Sequence, residues 1–173
     1  MSAPPIQIEG FDLTQDGINE IIFWGSHTNA TVPYAGSEIA VYHKVFDVYE
    51  MLQLPRQNMW DNNLFSVGYS FYKTILKDNI VTIFNPNTGY QFNSVIEDEL
   101  ALNFFQRIDD NFDISSRAWR FETTLCKNRS ALIIYNHVGG RDFDKDVATY
   151  LQWDKSSSSF IPVFMELVNL YEN

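Results

Sequence analysis

Two segments with helical spacing constrain the fold more than any other feature of this sequence. Apolar residues recur every three to four positions in Ser37–Leu54 and again in Glu97–Ile108, which is the spacing of one face of an α-helix. Ser37 is a favoured N-cap, and three acidic residues stand in the first turn of the second segment, where the helix dipole favours them. The spacing therefore predicts two helices, with Phe46 and Phe104 in the core.

Short apolar runs that are separated by turn-forming residues predict strands. Ile80–Phe84 and Tyr90–Val95 flank a stretch of Asn, Pro and Gly, a pattern typical of a hairpin. Three later strands are expected over Arg117–Leu125, Ala131–Asn136 and Val147–Trp153. Strands that follow one another through short turns pair antiparallel.

Three further segments have helical features. Thr14–Trp24 predicts a short helix, although a strand over Ile18–Trp24 is an alternative because β-branched residues are dense there. Tyr72–Lys77 predicts a helical turn, and a last helix is expected to begin near Pro162, since proline is favoured at the first helical position.

We expect an α+β fold, with an antiparallel sheet of about five strands and three to four helices packed on it. Residues 1–173 are expected to form a single globular domain, with residues 1–10 loose or extended.

The charge balance excludes several classes of ligand. The chain carries 22 acidic and 12 basic residues, a net charge of −10, and this charge repels nucleic acid and anionic membrane surfaces. The N-terminus lacks a basic start followed by an apolar run, and the apolar stretches are too short to span a bilayer. We therefore expect a cytoplasmic protein that uses neither nucleic acid nor a membrane as a partner.

The spacing of the aspartates in residues 142–146 matches the first positions of a calcium-binding loop. Asp142, Asp144 and Asp146 have the required spacing, but Val147 and Trp153 stand where such a loop needs Gly and Glu. A charged turn between two strands explains the segment better. We expect no metal ion to stabilise the protein.

The other residues that often carry chemistry are isolated. His27, His43 and His137 show no metal-ligand spacing, and His43 is expected on the solvent side of the predicted helix. Cys126 is the only cysteine, and we expect it to act as a small apolar residue. The sequence therefore predicts no catalytic residue, no metal site and no cofactor.

Acidic residues at both ends of the second predicted helix indicate a partner-binding surface. Such a charge cluster steers a basic protein and raises its association rate, an effect that salt weakens. A solvated surface that aids solubility is the alternative. The predicted binding residues are Glu97, Asp98, Glu99, Asp109, Asp110 and Asp113.

The C-terminal segment resembles part of a known family. A strand-like run, Thr149–Trp153, is followed by the pair Ser159-Phe160 and then by a second phenylalanine, Phe164. This order is similar to the end of SUKH-type bacterial immunity proteins, where a late strand leads to a Ser-Phe pair and a short closing helix. The resemblance covers only this segment. It implies an α+β immunity protein that binds and neutralises a toxin.

Charge, aromatic content and this resemblance favour a non-enzymatic inhibitor that binds a basic partner, such as a toxin domain, through an acidic and aromatic surface. Two alternatives stay open. One is a small enzyme or ligand-binding domain built from dispersed residues such as His27, His137, Asp142 and Tyr150. The other is a phage or structural assembly protein, which self-association would favour.

Overall fold

The computed structural model describes residues 6–26, 37–54, 57–58, 67–68, 73–85, 88–97, 99, 102–103, 115–138 and 145–169. Almost all of these residues are in β-strands. In chain order the strands are β1 (Ile6–Phe11), β2 (Glu20–Ser26), β3 (Ser37–Val45), β4 (Val48–Leu52), β5 (Gln57–Asn58), β6 (Val67–Gly68), β7 (Lys73–Lys77), β8 (Ile80–Phe84), β9 (Gln91–Val95), β10 (Ser115–Cys126), β11 (Arg129–Val138), β12 (Lys145–Asp154) and β13 (Ser159–Asn169).

The strands pair with their neighbours in the chain to form antiparallel sheets. One four-stranded sheet has the order β1-β2-β3-β4, and a second has the order β10-β11-β12-β13. A three-stranded sheet, β7-β8-β9, lies between them in the sequence, and β5 pairs with β6. Each sheet is thus a simple meander, the arrangement that short turns between strands produce.

One apolar core joins the two four-stranded sheets. Ile22 of β2 and Val41 of β3 pack in the same buried cluster as Leu132, Ile134 and Leu151 of β11 and β12. Each of these side chains is completely removed from solvent, and burying a side chain of this size stabilises a fold by about 1.5–3 kcal/mol. The two sheets therefore hold each other in place.

A second apolar cluster joins the three-stranded sheet to the last sheet. Val81 and Ile83 of β8 are buried together with Val147 of β12 and Met165 of β13. The β10–β13 sheet thus contacts both of the other large sheets and lies at the centre of the described structure.

The prediction of an α+β fold with three to four helices is wrong, because strands make up almost all of the described chain. Ser37–Leu54, predicted as a helix, is the hairpin of β3 and β4, which a two-residue turn connects. Most of Glu97–Ile108, including Phe104, lies outside the described residues. Glu99, Leu102 and Asn103 are described and are helical, and the extent of this second predicted helix stays a prediction.

The β3–β4 hairpin shows why its sequence resembles that of a helix. Val45 and Val48 are directly paired across the turn Phe46-Asp47, and directly paired residues point to the same face of a sheet. The turn therefore places two residues three positions apart on one face, which is also a helical spacing. Phe46, which was expected in the core, lies in this turn and is 92% exposed.

The other helical segments are also strands or turns. Thr14–Trp24 is a turn followed by β2, as in the alternative interpretation of that segment, and Tyr72–Lys77 contains β7. The expected final helix is β13, which includes Pro162. β13 is the last strand of its sheet and pairs on one side only. Proline has no backbone N–H group to donate, and an edge strand tolerates it because its other side needs no ladder hydrogen bond.

The strand predictions are confirmed. Ile80–Phe84 is β8 and pairs with β9, and the three later strands are β10, β11 and β12. Within residues 1–10, which were expected to be loose or extended, residues 6–10 belong to β1, which pairs with β2. No helix among the described residues is long and apolar enough to cross a membrane.

Candidate functional site

A tight acidic turn connects β1 to β2. The carboxylate of Asp12 accepts hydrogen bonds from the backbone nitrogens of Asp16, at 3.1 Å, and Gly17, at 3.0 Å. Gly17 has φ = 87°, a backbone conformation that glycine adopts without steric cost. Asp16 in turn accepts a hydrogen bond through Oδ1 from the backbone nitrogen of Ile18, at 2.9 Å. These bonds fix the carboxylate of Asp16 at one end of the sheet.

Glu20, the first residue of β2, is a charged side chain that is completely buried. Its Oε2 accepts hydrogen bonds from the backbone nitrogens of Leu13 and Thr14, the latter at 3.1 Å. Its Oε1 accepts a third, from the hydroxyl group of Thr14 at 3.0 Å. A buried carboxylate is stable only when its oxygens are hydrogen-bonded in this way. Glu20 therefore ties the turn to the strand.

His43 of β3 supplies the remaining partner of Glu20. Its Nδ1 lies 2.7 Å from Oε1 of Glu20, and its Nε2 lies 3.5 Å from Oδ2 of Asp16. The His43 side chain is 18% exposed and that of Asp16 is 32% exposed. The imidazole thus stands between a buried carboxylate and one that reaches solvent. The prediction that His43 faces solvent on a helix is wrong.

The contact with Glu20 determines which ring nitrogen of His43 carries a proton. An ionised carboxylate offers only acceptors, so with Glu20 ionised Nδ1 is the donor in this 2.7 Å contact. In the neutral imidazole, Nε2 then has a free lone pair that faces Asp16. The site can hold a proton or a cation between Nε2 and Oδ2. We refer to Asp16, Glu20 and His43 as the Asp–Glu–His cluster; its ligand atoms all lie within 4.8 Å of one another.

The β12–β13 turn of the last sheet lies close to this cluster. The ammonium group of Lys155 donates a hydrogen bond to the backbone oxygen of Gln15, at 3.3 Å. Next to it, the partly exposed Asp154 accepts hydrogen bonds from the hydroxyl groups of Ser157 and Ser156, which lower the pKa of its carboxyl group to about 2. The cluster therefore lies where the ends of two sheets meet.

The β3–β4 hairpin has its turn at the same end of the sheet as the turn between β1 and β2, because alternate connections of a meander lie at the same end. Its apolar side chains are unusually exposed: Phe46 by 92%, Val48 by 57%, Tyr49 by 51% and Met51 by 46%. Within the described chain, β4 pairs only with β3 and so forms an edge of its sheet. We call residues 46–51 the hairpin surface.

The predicted acidic surface is described only in part. Glu97 and Glu99 are both exposed. Asp98, Asp109, Asp110 and Asp113 lie outside the described residues, and the grouping of all six stays a prediction.

Several other predicted candidates do not form part of a described site. His27, Asp142 and Asp144 lie outside the described residues. His137 lies on β11, and only its backbone is described. Asp146 is buried on β12.

Tyr150 and Cys126 have local partners in the β10–β13 sheet. Tyr150 donates a hydrogen bond to Glu166, and burial, followed by this bond, raises its pKa. Tyr135 is placed in the same way, donating to Glu122 at 2.8 Å. Cys126 is buried at the end of β10, as an apolar residue would be, and its backbone oxygen accepts a hydrogen bond from Gln152 at 2.8 Å.

The sequence carries a signal for part of the Asp–Glu–His cluster that the predicted sites did not include. Asp12, Asp16 and Gly17 occupy the first, fifth and sixth positions of the calcium-loop pattern, including the glycine that residues 142–147 lack. His43 has no such signal, because it lies 23 positions beyond Glu20 and only the pairing of β2 with β3 brings it near.

Over the described residues, the fold and the cluster together define antiparallel β-meanders with a histidine between two carboxylates at a sheet end. No family model, curated protein or solved structure matches this chain. Any function proposed for it therefore rests on the chemistry of its own residues.

Proposed function

We propose that this protein binds a basic protein partner, without catalysing a reaction, and that the hairpin surface makes the contact. The observation that carries the proposal is the exposure of Phe46, Val48, Tyr49 and Met51 in one hairpin. Tyr49 and Met51 lie two positions apart in β4 and so point to the same face of the sheet, and adjacent exposed apolar side chains of this size are typical of protein interaction sites. Aromatic side chains are also the residues that most often dominate binding energy.

The conformation of Phe46 supports this proposal. Its φ is 54°, in the left-handed region, where a residue with a side chain is disfavoured by about 1–2 kcal/mol relative to the right-handed conformation. Hairpin turns usually place Gly, Asn or Asp at such a position. An exposed phenyl ring gains nothing from the core to offset this strain. Strained residues of this kind concentrate at functional sites.

The edge strand β4 offers a second mode of contact. A partner strand can add to the edge of a sheet through backbone hydrogen bonds, with side-chain contacts that provide specificity. Natural edge strands are usually protected by charges, prolines or bulges. In β4, Glu50 is the only charged residue, and its side chain points to the face of the sheet opposite to that of the exposed Tyr49 and Met51.

The charge of the chain favours a basic partner. The hairpin surface contains two exposed acidic residues, Asp47 and Glu50, and the whole chain has a net charge of −10. Such a charge raises the association rate of a basic partner, and salt reduces the effect. Inhibition of a basic toxin domain is one specific form of this proposal; it rests on the resemblance of residues 149–164 alone, and β13 stands where the immunity proteins have their closing helix.

The experiment begins with a photo-crosslinking amino acid at position 49 and, as a matched control, at position 75. Ile75 is 53% exposed on β7, in a different sheet. The protein captured in the native host is purified, and its affinity is measured for wild type, Tyr49→Lys and Ile75→Lys. We expect crosslinking from position 49 only, and an affinity for Tyr49→Lys at least tenfold below that of wild type, about 1.4 kcal/mol.

Equal crosslinking at both positions, or equal affinities of the two variants, would show that the hairpin surface is not the contact. A partner with an acidic binding face would contradict the electrostatic half of the proposal. Absence of any captured protein at either position would argue against a protein-binding function altogether.

A further inference from the structure

We propose that the Asp–Glu–His cluster binds a divalent transition-metal ion such as Zn²⁺, with His43 Nε2 and Asp16 Oδ2 as ligands and Glu20 as the residue that orients the histidine. This proposal does not depend on the proposed function, although Glu50 of the hairpin surface is paired directly with His43 of the cluster. The sequence predicted no metal site, because the histidine of the cluster comes from a different strand.

The separation of the two ligand atoms fits this assignment. His43 Nε2 and Asp16 Oδ2 are 3.5 Å apart. Two atoms that bind the same tetrahedral zinc ion at about 2.0–2.1 Å are about 3.3 Å apart. A cation can therefore enter between them with a movement of a few tenths of an ångström.

The tautomer of His43 also fits. Glu20 Oε1 accepts a hydrogen bond from Nδ1 of the ring at 2.7 Å. In this tautomer the lone pair of Nε2 is available to a metal. Metal-binding histidines are usually held by a carboxylate on the other ring nitrogen, which fixes the ring and increases its basicity. Here that carboxylate is completely buried.

Glu20 is not expected to bind the metal directly. Besides His43, its oxygens accept hydrogen bonds from Leu13 N, Thr14 N and Thr14 Oγ1. A carboxylate has about four acceptor sites, and these four partners occupy them. The metal would therefore have two protein ligands, and water would complete its coordination.

The local charge favours a cation. Asp12, Asp16 and Glu20 contribute three negative charges and Lys155 on the adjacent turn contributes one positive charge, a sum of −2 before His43 is counted. Glu50, an exposed acid, is paired with His43 across β3 and β4. The ring nitrogen selects the type of metal. Imidazole ligands suit Zn²⁺, Cu²⁺ or Ni²⁺, whereas Ca²⁺ and Mg²⁺ prefer oxygen ligands alone.

The test uses the full chain after treatment with a chelator. Zn²⁺ is added to wild type, Asp16→Asn, His43→Gln and the control Asp78→Asn, which alters an exposed acid in the β7–β8 turn. Calorimetry measures the stoichiometry and affinity, and thermal melts measure the stability. We expect one Zn²⁺ ion per chain in wild type and in the control, a rise in Tm, and at least tenfold weaker binding in both cluster variants.

Two spectroscopic measurements separate this site from binding elsewhere. The ¹⁵N spectrum of the histidine rings should show Zn²⁺ on Nε2 of His43 while Nδ1 keeps its proton. Co²⁺ in place of Zn²⁺ should give visible absorption that His43→Gln abolishes. If His43→Gln does not fold, Asp16→Asn replaces only a partly exposed carboxylate and retains the test.

Three results would overturn the proposal. The first is a wild type that shows no zinc-dependent heat and no change in Tm. The second is binding by the cluster variants as tight as that of wild type, which would place the ion at another histidine. The third is stabilisation by Ca²⁺ but not by Zn²⁺, which would indicate an all-oxygen site formed by the acidic turn.

Discussion

Nδ1 of His43 lies 2.7 Å from Oε1 of Glu20, a carboxylate that solvent does not reach. Glu20 begins β2 and His43 lies near the end of β3, and the two strands are adjacent and antiparallel. The pairing of these strands, rather than any local turn, brings the two side chains together. The same contact orients the imidazole toward Asp16 and anchors the turn between β1 and β2.

Replacement of Glu20 tests how far this buried carboxylate stabilises the fold. We expect Glu20→Gln to lower the free energy of unfolding by about 2–4 kcal/mol, because the amide loses the charge and one of the two acceptor oxygens. Glu50→Gln, an exposed change on β4 of the same sheet, should alter it by less than about 0.5 kcal/mol. Urea denaturation at pH 7 measures both. Equal losses in the two variants would mean that the bonds of Glu20 contribute little.

Replacement of Phe46 separates backbone strain from side-chain packing. Phe46→Asn should raise the free energy of unfolding by about 0.5–1 kcal/mol, since asparagine tolerates a positive φ better than phenylalanine. Phe46→Ala removes the same exposed ring but keeps the strain, so it should not stabilise the protein. Chemical denaturation of both variants provides the comparison. A loss of more than about 1 kcal/mol in Phe46→Asn would show that the ring packs against the protein.

The hydroxyl group of Tyr150 should make the free energy of unfolding depend on pH in the alkaline range. Burial, and then its hydrogen bond to Glu166, raises the pKa of Tyr150 above its ordinary value of 10.0. The unfolded chain therefore releases this proton at a lower pH than the folded protein does. The stabilising contribution is complete below pH 10 and is lost as the pH rises above it. Unfolding free energies from pH 8 to 12 should fall less steeply for Tyr150→Phe, and an unchanged slope would contradict the raised pKa.

Asp154 should titrate at unusually low pH. Hydrogen bonds from Ser157 and Ser156 lower the pKa of its carboxyl group from 3.8 to about 2. This folded-state pKa is below the unfolded one, so the contribution is present above pH 3.8 and is lost as the pH falls toward 2. Carboxyl ¹³C shifts should give a midpoint near 2 in wild type and one closer to 3.8 in Ser156→Ala/Ser157→Ala. A wild-type midpoint near 3.8 would rule out this hydrogen-bonded turn in solution.

Much of the sheet structure could be predicted from local sequence. Ile80–Phe84 matches β8, and Ala131–Asn136 lies within β11. Both are short apolar runs bounded by residues that favour turns, and in both the local preference agrees with the final fold.

Ser37–Leu54 could not be assigned from its spacing alone. A two-residue turn puts Val45 and Val48 on the same face of the hairpin, and the same interval of three also lies on one face of a helix. Side-chain packing decided between the two structures. Ile39 and Val41 are buried against Leu132 and Ile134 of the last sheet, and that long-range contact favours strands.

The sequence alone determined the turns, most of the later strands and the negative charge of this protein, because these depend on residues that are close together in the chain. The tertiary structure alone decided that residues 37–52 form strands, that Phe46 is exposed and that His43 lies between Asp16 and Glu20. Each of these outcomes depends on pairing or packing between distant segments, whose energies do not appear in a local pattern of residues.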